Sequence, residues 1–99
     1  MSDESGLDQA VTKAARAQEL LDNELLTETF KTLEENYAAA WRATVVGDVA
    51  GREKLFLAIN IVGKVRDHLN AVVANGKLAQ AELKELAQIA ERRRRFGIL

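Results

Sequence analysis

Large apolar residues are densest between Leu55 and Val73, in LFLAINIVGKVRDHLNAVV. Leu55, Ala58, Val62, Val65, Leu69 and Val72 step by three and four residues, the spacing that keeps side chains on one face of a helix. Phe56, Ile59, Gly63 and Val73 widen the stripe on one side, Leu57 and Ile61 on the other. The first half of this helix is therefore apolar almost all round, which calls for neighbours enclosing it. Val62, at the centre of the stripe, is expected in the core, where a carboxylate in its place abolishes folding. The second half keeps a wet face with Lys64, Arg66, Asp67, His68 and Asn70. Asp48 is a suitable N-cap. Asn75-Gly76 predicts the end, because Gly after the last helical residue takes the left-handed conformation freely. The pattern thus predicts a helix over 49–75.

Upstream, Leu26, Phe30, Leu33, Tyr37 and Trp41 repeat the helical spacing, with Glu28, Lys31, Thr32, Glu35 and Arg42 opposite. Asp22-Asn23 supplies two N-cap types in succession, and Glu24 suits the helix dipole. The helix over about 24–44 stops in TVVGDVAG, a loop short enough to favour an antiparallel hairpin. Trp41 is then expected across from Leu55 and Phe56. Residues 7–21 are Ala-rich with few large apolar groups and predict a helix that is marginal alone. After Gly76, Leu83, Leu86 and Ile89/Ala90 predict a separate basic C-terminal helix, followed by a tail over 97–99. Residues 1–6 are short, polar and terminal, and are expected to be disordered. The expectation is an all-α single domain over 7–96: a long antiparallel helical hairpin, a weak N-terminal helix and a basic C-terminal one.

Composition narrows the function more than the fold. A chain of 99 residues with no Pro and no Cys excludes disulfides, thiolate metal sites and thiol nucleophiles. The acidic start does not read as a signal peptide, and no leader or membrane span is expected, since no apolar run of the sequence reaches membrane-span length. A cytoplasmic protein is expected. Residues 1–48 hold ten Asp/Glu against four Lys/Arg, and residues 49–99 five against ten. This asymmetry suits head-to-tail pairing of copies, or presentation of a basic end to an anion.

Catalytic chemistry finds no foothold. The single His68 has no second His or Cys at ligand spacing, and Asp67 and Glu53 read as solvated helix-face charges. Serine occurs only at Ser2 and Ser5, and no phosphate-cradling or nucleophile-elbow motif is present. No enzyme, cofactor, metal or small-molecule substrate is expected. Tyr37 and Trp41 read as core before interface, and Arg52-Glu53-Lys54 as an exposed charged turn. The run Arg92, Arg93, Arg94, Arg95 is the unusual feature. Cations suit a helix C-terminus, and Glu91 is placed to pair with Arg95. At 100° per residue, however, four consecutive arginines surround the helix and must face water or a polyanion such as DNA. Phe56, Leu57 and Ile61 are the candidate oligomer interface, since one chain of this size has trouble covering them. The end, FGIL, suits packing of the chain terminus onto a neighbour, or docking in a partner's groove.

The ordered segments LLDNELLTETFKTLEENYAAAWRAT, DVAGREKLFLA and KVRDHLNAVVANGKLAQAEL resemble small all-helical proteins of tailed bacteriophages and prophages, over residues 20–86. W-R-A-T, G-R-E-K-L and K-V-R-x-H-L are the distinctive pieces. The group is similar in size and helicity to the oligomerisation part of small terminase subunits, which form rings that recruit DNA to a packaging motor. The resemblance implies a non-enzymatic homo-oligomer that assists phage assembly or DNA packaging, contacting DNA non-specifically, or a large terminase or virion protein. The chain departs from small terminases in lacking an N-terminal helix-turn-helix, so sequence-specific readout is not implied. The alternative is a small regulator or inhibitor that binds a host or phage protein.

Overall fold

The computed structural model describes residues 4–97, and these form three α-helices and no strand. Helix α1 spans Glu4–Asp22, α2 spans Glu24–Ala43 and α3 spans Val49–Arg95. The first start lies inside the stretch expected to be unstructured. Asn23 alone separates α1 from α2; its side-chain oxygen accepts from the Leu26 N–H at 2.9 Å, so it caps α2. Asp48 does the same for α3, accepting from Gly51 N–H at 3.0 Å. Both caps fall where the sequence places them.

The main correction concerns α3. It does not stop at Asn75-Gly76 but runs unbroken for 47 residues, roughly 70 Å at 1.5 Å per residue. The separate C-terminal helix is therefore the second half of α3. Gly76 is buried inside it, against Ala14 and Ala10 of α1. A glycine within a helix costs about 1 kcal/mol relative to alanine. Here it lets two helices approach until a single added methyl would collide with the Ala14 side chain. The positive-φ stop is used 21 residues later, at Gly97, with φ of 68°.

Both α1 and α2 lie against α3 and barely touch each other. As α3 advances, its partners fall back along the chain. Arg52 meets Trp41 and Thr44, Arg66 meets Glu34 and Phe30, and Gly76 meets Ala14. Trp41, read as core, is 36% exposed and stacks on a cation: the Arg52 guanidinium sits 4.3 Å from the indole centroid and donates to Thr44 Oγ1 at 2.8 Å. Arg52 is half-buried rather than an exposed turn charge. Arg66, read as part of the wet face, likewise lies half-buried between the Glu34 carboxylate at 3.0 Å and the Phe30 ring at 5.5 Å.

Among the described residues, the only buried apolar side chains are Ala17 and Ala79. Val62 is half-buried, so the deep core expected around it is absent from one chain. The molecule measures 75 × 27 × 15 Å, and its radius of gyration is 21.5 Å, against about 13 Å for a compact domain of this length. It is a flat rod two helices wide.

Candidate assembly face and basic end

The covered stripe of α3 runs through Leu55, Ala58, Val62, Leu69, Val72, Gly76, Ala79, Leu83 and Leu86, all buried or half-buried. These steps average close to the 3.5 residues of a supercoiled helix pair. Because an unstrained helix has 3.6 residues per turn, the contact drifts, leaving Val65 47% exposed while Arg66 takes its place.

Outside the stripe, apolar side chains remain uncovered. Phe56 is 57% exposed, Leu57 52% and Ile61 60%. These three do not form one patch. Leu57 and Ile61 continue through Val65 to His68 and Val72, a row spaced four, four, three and four residues. That row opens into a cleft of about 940 Å³ against α1, where His68, Val72 and Asn75 face Asp8, Gln9 and Lys13. Phe56 turns to the other side of the stripe, the side on which Asn70 and Arg66 share a second cleft with Thr27 and Phe30. Sequence spacing alone marks a helix as apolar all round; only the position of the covered stripe separates the two flanks.

At the far end of α3, Arg92, Arg93, Arg94 and Arg95 are all exposed in its last turn. Glu91 pairs with Arg94, not with Arg95 as expected. Arg92, Arg93 and Arg95 make no ion pair among the described residues. From the partner order, this turn lies roughly two turns beyond the level of Glu4. The arginines and the Leu57–Ile61–Val65 row therefore belong to different parts of the rod, more than 25 residues apart along one helix. The C-terminal tail expected to seat on a neighbour lies partly outside the described residues; Phe96 is 70% exposed.

No helix among the described residues is long and apolar enough to cross a membrane, and none of their His, Asp and Glu side chains gather into a group that would hold a metal ion. The fold defines the class as an elongated all-helical protein. Comparison with protein-family models, curated proteins and solved structures finds no match.

Proposed function

We propose that the chain is a non-enzymatic assembly protein that acts as a homo-oligomer of antiparallel helical hairpins, its arginine end gripping DNA without regard to sequence. The motif resemblance to small phage proteins makes an accessory role in phage assembly or DNA packaging the biological form of this reading.

The observation that carries it is the surface left open. The chain exposes 7799 Å², whereas a folded monomer of 10.9 kDa exposes roughly 5,600 Å². Hydrophobic burial is the main term favouring folding, and a two-helix-wide rod with two buried alanines has little of it. Copies of the chain supply the missing cover. The arginine turn supports the second half of the reading: four cations arranged around a helix end suit a phosphate backbone, whose contacts carry no sequence information.

Two measurements test the parts separately. Light scattering at high micromolar concentration gives a mass above one chain; a strict monomer sinks the assembly reading and favours the alternative, a small protein-binding regulator. Fluorescence anisotropy with two unrelated duplexes gives equal affinities that fall with salt at a log–log slope of about −3 per engaged subunit. Replacing Arg92 to Arg95 by Ala removes most of that binding. Absence of binding at low salt removes DNA from the proposal.

A further inference from the structure

The homo-oligomer reading leaves open which surface is covered and by which part of the second copy. We infer that the side bearing Leu57, Ile61 and Val65 is the subunit interface, with α3 of each copy lying on α2 of the other about a twofold axis parallel to the rod. The inference rests on that reading and gives it a geometry.

The two sides of the rod are distinguishable. The cleft containing Thr27, Arg66 and Asn70 marks one side. At 100° per residue, Leu57, Ile61 and Val65 turn the opposite way from Asn70 about the covered stripe of α3. On α2, Thr29, Asn36 and Ala40 turn the opposite way from Thr27. Both rows therefore share the other side, and all six residues are exposed. One row is bulky and apolar. The other is small from Thr29 to Ala40, with Leu25, 73% exposed, at its start, so over that length it forms a shallow trough beside a ridge.

A twofold axis along the rod sets each ridge into the partner's trough at the same height. The contacts Arg52–Trp41 and Arg66–Glu34 fix the heights within a chain, placing Ile61 level with Asn36, Leu57 with Ala40 and Val65 with Thr32. The axis preserves height, so Ile61 meets the second copy's Asn36. A twofold axis across the rod instead stacks α3 on α3, ridge on ridge.

Charge separates these two arrangements. Helix α2 carries four carboxylates and two cations, while residues 49–72 of α3 carry four cations and two carboxylates. Lys54 and Lys64 flank the ridge, and Glu28 and Glu35 lie beyond the trough, all exposed. Laying α3 on α2 brings opposite charges together at the rim, where they select orientation. Laying α3 on α3 brings like charges together. The area agrees as well: the surface in excess of a compact monomer is roughly 2,000 Å² per chain, above the 800 Å² each partner gives to a standard interface and in the range of obligate dimers.

Since the chain has no cysteine, the geometry is open to direct cross-linking. Full-length Ile61→Cys chains and Asn36→Cys chains are mixed, allowed to exchange and oxidised mildly. Disulfides need α-carbons within about 7 Å, so the mixture should give a covalent dimer and neither variant should give one alone. In parallel, Ile61→Lys, a change at an exposed site that leaves the monomer helical by circular dichroism, should weaken self-association on the order of 30-fold or more. A wild-type oligomer with Ile61→Cys cross-linking to itself, or with mass unchanged by Ile61→Lys, overturns this interface while the homo-oligomer reading stands. A wild-type monomer overturns both.

Discussion

Gly76 and Gly63 sit 13 residues apart on the same helix and face opposite fates on substitution. A Cβ at Gly76 would run into the Ala14 methyl and come within 3.1 Å of the Ala10 carbonyl oxygen. At Gly63 the same atom meets nothing within 4 Å. Gly63→Ala should therefore raise stability by about 0.5–1 kcal/mol through helix propensity alone. Gly76→Ala gains the same propensity but forces α1 off α3, and overpacking of this kind costs about 1–3 kcal/mol. Urea denaturation of the two variants should give midpoints displaced in opposite directions; two midpoints both raised would show that α1 does not approach α3 as closely as described. The cap residues act at this scale too. Asn23→Ala should cost about 1 kcal/mol, because the Leu26 N–H then loses its acceptor.

At the scale of elements, α1 and the end of α3 are held by small residues, α2 and the start of α3 by larger ones. Gly76 meets Ala10 and Ala14, and Ala17 and Ala79 are the buried apolar residues of these two helices. Toward the loop it is Phe30, Trp41 and the half-buried Leu55, Val62 and Leu69, clamped by Arg52 and Arg66. Small side chains let α1 and α3 approach closely, and the only buried apolar side chains among the described residues lie there, whereas α2 buries none, so α2 should open first. Hydrogen exchange should show amides of α2 exchanging faster than those of α1. Val62→Asp, at a half-buried site, should lower stability by about 1–3 kcal/mol, and the loss should appear in the denaturation midpoint with helicity retained in water. A fully unfolded variant would mean that Val62 is enclosed more deeply in the assembled protein than in one chain. The ion pair Arg66–Glu34 has both side chains about one-third exposed, so its charge contribution is small. Packing of the Arg66 stem against Phe30 is the larger part of its role.

For the whole molecule, the proposed cover by other copies would make stability depend on concentration. Species that form only from folded chains shift unfolding by mass action, so the melting temperature should rise across a hundredfold increase in chain concentration. A constant melting temperature would place the stabilising contacts within one chain. The arginine end should be silent in the same experiment. Arg92 to Arg95 are exposed in the last turn of α3, so their replacement by Ala should move the melting temperature little while removing the proposed DNA binding. A large loss of stability would assign the run a structural role.

The sequence by itself determined what depends on near neighbours in the chain. Helical spacing, the absence of Pro, and cap residues Asn23 and Asp48 specify where the chain is helical and where two of its helices start, because these forces act within four residues. The exposed positions of Phe56, Leu57 and Ile61 were legible from the same spacing, as an apolar circumference too large for one neighbour. The tertiary structure decided what depends on distant residues. Asn75-Gly76 and Phe96-Gly97 offer similar local stop signals, yet only the second ends α3. The alanine face of α1, more than 55 residues earlier in the chain, gives Gly76 a partner that rewards a helical backbone. Arg52 and Arg66 are half-buried for the same kind of reason: the rings and acceptors that receive them lie on another helix. The division of α3 into a covered stripe and two open flanks also required the fold, since periodicity marks a face as apolar without stating which neighbour covers it.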